Sequence, residues 1–287
     1  MRCDCHIHMV LDGADWKRAI ARHSGGVQEA CVRRVLEVYQ KLGFSYLREG
    51  GDRWGAGLLA KRLAGEYGIC LVSPAFPIYK KGYYGSFIGR GFETLDEYRA
   101  LVAEAKAAGA DFIKLMISGL MDFDRPGVLT CPGLEPELIR ELIAIAHGEG
   151  FAVMAHANGA RTVEAAARAG VDSVEHGAYL DRAALEAMAQ AGTIWVPTLS
   201  TIGNLSGKGR YDQGAVEAIL AGAMENVRAY AALGGQIAPG SDAGAWQVFH
   251  GQGGLDEYAY LRRALGPGGE TLVDRGGVAL RARFSPR

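Results

Sequence analysis

The sequence predicts an α/β protein, a (β/α)8 TIM barrel formed by residues 1–287 as one domain, and three observations lead there. Short apolar, β-branched runs alternate with stretches of helical periodicity, the pattern of repeated strand-helix units around a parallel sheet. Eight such runs can be counted, in a chain whose 287 residues suit a single barrel. The polar residues able to do chemistry fall at the C-terminal ends of those runs, where a barrel must form its site; this favours closure over an open doubly wound sheet, which has the same local signals.

The expected strands end near His8, Arg48, Ser73, Met116, His156, His176, Thr198 and Asp242. Helical patterns lie between them, among them 95–108, 136–148 and 215–233, with a further one at 255–265. Several stop at a glycine, as at Gly43, Gly109, Gly150, Gly170, Gly192 and Gly234, where a C-terminal cap tolerates positive φ.

The first strand reads Asp4-Cys5-His6-Ile7-His8. Alternation along a strand sends His6 and His8 to one face and Cys3, Cys5 and Ile7 to the other, so two imidazoles can share one metal ion. An isolated pair of this kind also occurs as ordinary core or surface histidines.

The loops after the second, third and fourth strands supply Arg48, Asp52, Arg53 and Tyr83 as candidates for holding substrate, together with Tyr79, Lys80, Lys81, Tyr84, Asp122, Asp124 and Arg125. An arginine fork there would clamp a carboxylate, although barrel loops are rich in such residues in any case. The fourth strand is apolar but for Lys114 near its end. Desolvation would leave that lysine a neutral amine, able to act as a nucleophile or to capture CO2; alternatively it snorkels past the strand end.

The fifth and sixth strands end in His156 and His176, each just before a glycine-containing turn, and the eighth ends in Gly240-Ser241-Asp242-Ala243-Gly244. Alone, each histidine could be a satisfied core residue and Asp242 a helix cap. Six residues able to bind or bridge metal, all at strand ends, make a set. Asn158, Tyr179 and Trp246 are further candidates for lining the mouth, with Thr198 and His250.

Bulk composition narrows the partner. Lys plus Arg (31) nearly balance Asp plus Glu (32), so no global field attracts nucleic acid or an anionic membrane, and a small molecule is expected. No apolar run is long enough to span a bilayer and no export signal stands at the start, so a cytoplasmic location is the expectation. The five cysteines show no paired CxxC spacing and read as reduced thiols. Assembly into a homo-oligomer is left open.

In this order and spacing His6, His8, Lys114, His156, His176 and Asp242 resemble the amidohydrolase superfamily, in its binuclear subtype with a carbamylated bridging lysine. The forms Val174-Glu175-His176-Gly177 and Gly240-Ser241-Asp242-Ala243-Gly244 are similar to the branch containing imidazolonepropionase and prolidase-like amidohydrolases. The resemblance implies two divalent metal ions: one held by His6, His8 and Asp242, the other by His156 and His176, with a CO2-derived carbamate on Lys114 between them. Zinc suits these ligands best, manganese, iron and cobalt being alternatives. It implies a hydrolase that cleaves a carbon-nitrogen bond, amide or cyclic amide and not a peptide, by a metal-activated hydroxide, with Asp242 moving the proton. Many relatives carry a small accessory β-sandwich; little or none is expected here, because the first strand begins at the first residues, and whether the chain is complete or a fragment stays open.

Two other readings remain. The segment Gly109-Ala110-Asp111-Phe112-Ile113-Lys114 also resembles the Schiff-base strand of deoxyribose-phosphate aldolase, which would make Lys114 the nucleophile of a lyase. A barrel that binds metal without turnover is the third.

Overall fold

The computed structural model describes residues 2–286, and the expected alternation of strand and helix runs through them. The strands are β1 (Arg2–Ile7), β2 (Phe44–Glu49), β3 (Cys70–Val72), β4 (Pro77–Lys80), β5 (Arg90–Phe92), β6 (Ile113–Met116), β7 (Val153–Ala157), β8 (Ser173–His176), β9 (Ile194–Val196) and β10 (Gln236–Ile237). The helices up to the sixth are α1 (Trp16–His23), α2 (Glu29–Lys41), α3 (Ala56–Leu63), α4 (Leu95–Ala107), α5 (Pro136–Gly148) and α6 (Ala160–Arg168). They continue with α7 (Arg182–Ala191), α8 (Ser200–Gly203), α9 (Gln213–Ala232), α10 (Gln252–Leu265) and α11 (Gly269–Arg283).

All strand pairs are parallel, in the orders β1-β2-β3 and β10-β9-β8-β7-β6-β4-β5. The two ladders are not continuous with each other, yet backbone hydrogen bonds span both seams. Pro239 O accepts from Cys5 N at 2.8 Å, His6 O from Asp242 N at 2.7 Å and Ala243 O from His8 N at 2.8 Å, joining the chain beyond β10 to β1. At the other seam Asp111 N donates to Ser73 O at 2.9 Å. β3 and β4 act as one interrupted strand, broken where Ala75 takes φ 65, so that β3 pairs with β2 and β4 with β6. The eight expected strands thus go round as a barrel. β5 was not expected, because Arg90-Gly91-Phe92 offers no β-branched residue and no apolar run.

Helix ends follow their caps. The Asp212 side chain accepts from Ala215 N and starts α9 two residues before the apolar periodicity does. Gly192 closes α7 in the left-handed region at φ 67. Among the described residues no third sheet forms, and no helix is long and apolar enough to cross a membrane.

Apolar packing falls into an outer shell and an inner plug. One outer cluster lies between α1 to α3 and the first strands, holding Ile7, Leu36, Leu47 and Leu71. A larger one packs the remaining helices on the longer ladder, with Tyr98, Ile143, Val174 and Trp195. The inner cluster gathers Cys3, Cys5, Tyr46, Val72, Phe112, Met154 and Val196, stoppered by Leu280 and Phe284 from α11 and its C-cap.

These clusters correct the expected parity of β1. Cys3 and Cys5 pack inside while Ile7 packs outside, because the β1–β2 register shifts between Asp4 and Ile7 and the irregularity resets the alternation. His6 and His8 nevertheless stay on one side.

The stopper needs close approach. A Cβ at Gly276 would stand 1.9 Å from Ile237 O, so α11 crosses beneath β10 only because that position has no side chain. Gly276→Ala is expected to cost about 1–3 kcal/mol by overpacking, read as a drop of several degrees in melting temperature; an unchanged melt would show that α11 does not dock in this way.

Candidate metal centre

Above the inner plug the barrel carries a buried charged tier. Arg48 donates through Nη2 to Glu175 Oε1 at 2.7 Å, through Nη1 to Ser173 Oγ at 2.8 Å and through Nε to Cys5 O at 2.7 Å. Its guanidinium lies 4.4 Å from the Phe284 ring centroid, and neither Arg48 nor Glu175 has exposed surface. Glu175 Oε2 stands 2.9 Å from His6 Nδ1, near enough to fix that imidazole though bent from ideal alignment.

The upper tier brings together all six candidate ligands. Asp242 Oδ1 lies 3.5 Å from His6 Nε2 and 3.4 Å from His8 Nε2, and the ligand atoms of these three residues all fall within 4.8 Å of one another. Lys114 Nζ is 3.5 Å from His6 Nε2. The His176 ring is 5.1 Å from His6 and 4.6 Å from His156, closing the group. A Cβ at Gly50 would meet His8 Cε1 at 2.4 Å, so glycine there lets the ring lie against the backbone.

Burial sets the protonation. It pulls His8 and His156 down to about 3, with the Lys114 charge adding to the effect. It also takes His6 and His176 well below the usual imidazole range, His6 beside Lys114 and His176 beside His156. All four rings are therefore neutral at pH 7, the form that binds metal. Burial lowers the Lys114 ammonium against the pull of Glu175 and Asp242, and raises the Asp242 carboxyl against the pull of Lys114.

This donor set fits a divalent transition ion. His6 Nε2 and His8 Nε2 converge with the Asp242 carboxylate, and neutral imidazoles beside a carboxylate suit zinc and its neighbours. Backbone strain collects at the same place. His176, Thr198 and Asp242, all non-glycine, take φ of 67, 49 and 59 at the top of the barrel. Thr198 Oγ1 lies 2.8 Å from His176 Nδ1, while Trp195 Nε1 donates to His176 O at 3.0 Å.

Asp242 is held from below by a polar network. Asp4 accepts from Ser241 N at 2.8 Å and from Ser241 Oγ at 2.6 Å, and Ser200 Oγ donates to Ser241 O at 2.8 Å. Ser200 N donates in turn to Glu257 Oε2 at 2.7 Å, whereas Glu257 Oε1 is buried without a partner. Burial pushes Glu257 up to about 8.

The centre opens into a cavity of about 620 Å³. Asn158 and Trp246 line it, as does Tyr84, whose ring is 4.9 Å from that of His156. Asn158 Nδ2 donates to Gly119 O at 3.0 Å and its Oδ1 accepts from Ala178 N at 2.9 Å.

The other expected substrate residues lie elsewhere. Arg48 is sealed in the charged tier beneath the ligands, where its chemistry is pairing with Glu175. Asp52 spends its carboxylate on the N–H groups of Trp54, Gly55, Ala56 and Gly57 at the start of α3. Arg53 is exposed, with its guanidinium 4.7 Å from the Trp54 ring. Tyr83 and Tyr179 are half-buried against the outer core and outside the cavity wall. Sequence reasoning missed Glu175 as the partner of Arg48 and missed Trp16, Phe87, Arg210 and Tyr211 on the wall. The polar residue beside His176 in an otherwise apolar strand was the one available signal for Glu175.

Comparison with known proteins finds a family, two sequence relatives and a similar fold. The model of the amidohydrolase family matches residues 50–253. Ochratoxinase of Aspergillus niger is 27% identical over 230 residues, 69% of this chain and 47% of that protein. An uncharacterized protein of Mycobacterium tuberculosis is 31% identical over 170 residues, 57% of this chain and 45% of that one. The chain spans about half the length of the curated relatives it matches. Among solved structures, a Xaa-Pro dipeptidase with methionine bound in its active site superposes with a TM-score of 0.79 at 21% identity, covering 98% of this chain and 75% of that one.

Two outcomes test this architecture. Arg48→Met leaves Glu175 as an unpaired buried carboxylate and is expected to cost about 3–5 kcal/mol, seen as a lower denaturant midpoint; a midpoint within error of wild type would remove the pair from its structural role. Folded Glu257 keeps a proton that the unfolded chain releases, so its stabilisation is complete below its ordinary value of 4.5 and is lost as pH rises to about 8. Denaturation of Glu257→Gln across that window should show a shallower decline with pH than wild type, and parallel curves would contradict it.

Proposed function

The chain belongs to the amidohydrolase family, and on that premise we propose that residues 1–287 form one metal-dependent barrel that hydrolyses a carbon-nitrogen bond, amide or cyclic amide, in a small molecule. The convergence of His6, His8, His156, His176, Lys114 and Asp242 at the top of the barrel carries this reading. His6, His8 and Asp242 would hold one divalent ion, and His156 and His176 a second; zinc matches the donors best. Burial lowers the Lys114 ammonium to about 8, so more of it is neutral amine near pH 7 than for an ordinary lysine; that amine would take up CO2 as a carbamate, whose negative charge would lie between the two sets of ligands. When bound, such ions supply a nucleophile at neutral pH by lowering the pKa of water, and they polarise the substrate carbonyl.

The remaining work falls to the chain. Asp242 sits with 17% of its side chain open to the cavity and its carboxyl drawn upward by burial, so it can accept a proton from the attacking water and return it to the departing nitrogen. Glu175 keeps His6 oriented, and Thr198 does the same for His176. Tyr84 and the other aromatic groups of the wall exclude water from the reacting bond.

The Schiff-base alternative has less support. Among the residues lining the cavity Lys114 is the sole lysine, so no second ammonium is there to lower its pKa, and four imidazoles around it would have no task.

Protein loaded in the presence of bicarbonate should hold two metal ions per chain by elemental analysis, and should lose its activity toward amides to a chelator and regain it on adding metal back. Asp242→Asn is expected to keep most of the metal while turnover falls by about 10²–10⁴. Equal loss of metal and turnover would reduce Asp242 to a ligand, and a fully loaded protein inert toward cyclic amides, N-acyl amino acids and dipeptides would favour binding without catalysis.

A further inference from the structure

We propose that Arg210 is a carboxylate anchor at the cavity mouth, and that the chain therefore selects amides that carry a free carboxylate together with a bulky apolar or aromatic group. The inference rests on the reading of the site as an amide hydrolase and adds the class of substrate it takes.

The wall is aromatic. Trp16, Tyr84, Phe87, Phe123, Tyr211 and Trp246 face the cavity, so the bulk of a ligand meets rings and not polar groups. Two cations line the same space. Lys114 lies deep among the imidazoles, whereas Arg210 is exposed on the loop between α8 and α9.

That arginine is held but not neutralised. Its guanidinium lies 4.6 Å from the Trp246 ring centroid and 5.3 Å from that of Tyr211. A guanidinium lying over rings keeps its in-plane N–H groups free for a planar anion. No ion pair involves Arg210 among the described residues, and the nearby acids are engaged. Asp212 Oδ1 accepts from Ala215 N at 2.7 Å, Asp124 Oδ1 from Asp212 N at 2.8 Å, and Asp122 pairs with Arg125 at 2.5 Å. Asp15, also on the wall, caps α1 by accepting from Lys17 N and Arg18 N.

The mounting is firm as well. The Tyr211 ring stands 5.2 Å from Phe123, on the loop that follows β6, and 6.0 Å from Trp246, on the loop that follows β10. Three loops thus meet at Arg210, which lines the same cavity as the candidate metal ligands. An arginine aimed at bulk solvent has no need of such a support.

The test uses the metal-loaded protein and two probes without a hydrolysable bond, 3-phenylpropanoate and 3-phenylpropan-1-ol, followed by calorimetry. The acid should bind about tenfold or more tightly than the alcohol, the ratio expected for one charge-assisted contact. Arg210→Gln should abolish that preference while leaving the alcohol's affinity unchanged, and Arg210→Lys should restore part of it. The proposal is overturned if the acid binds Arg210→Gln as tightly as wild type, or if both probes weaken together, since the arginine would then serve only packing. A preference that follows Arg210 in a protein hydrolysing no amide would uphold the anchor and sink the hydrolase reading.

Discussion

The buried pair of Arg48 and Glu175 is the interaction on which the rest of the structure depends. Two opposite charges with no exposed surface are tolerable in a barrel interior only when each is matched and hydrogen-bonded, and here Ser173, Cys5 O and the Phe284 face complete the set. The same carboxylate reaches His6 with its other oxygen, so the tier that closes the core also stands against the first candidate ligand. α11 takes part in both tasks, because its C-cap residue Phe284 covers the guanidinium from below.

From that floor upward the barrel changes character in steps. Apolar side chains fill the base, paired charges occupy the middle, and neutral imidazoles with one amine and one carboxylate form the top. Each step lowers the ordering cost of the next, since a ligand whose second nitrogen or oxygen is already bonded has few orientations left. His176 and Asp242 illustrate what this demands of the backbone. Both take left-handed φ values that a β-strand cannot continue, and both are bound in place by neighbouring backbone and side chains.

The likenesses to known proteins agree with this picture at the level of fold and family. The family match begins at residue 50 and so leaves out His6 and His8, which the geometry nonetheless joins to Asp242. Backbone hydrogen bonds from the end of β10 to β1 make that connection, and a one-residue slip at this seam would turn His6 away from Asp242.

The sequence by itself determined the strand-helix alternation and the six candidate ligands at or just beyond the barrel strands, although only the ends at Met116 and His176 were read to the residue and Asp242 lies five residues past the end of β10. Alternating apolar character and glycine punctuation are local, and 136–148 was readable as a helix to the residue because Pro136 opens it and Gly150, at φ 80, stands just past its C-cap. What only tertiary structure decided is where the long polar side chains go. Arg48 and Arg210 are the same amino acid, each near a strand end or loop. One is drawn inward by Glu175, a partner distant in sequence, and the other stays at the mouth because the acids near it are already spent on backbone N–H groups and on Arg125. The inward pairing of Cys5 on β1 was hidden for a similar reason: a register shift arises from the fit to β2, and alternation within one strand carries no record of its neighbour.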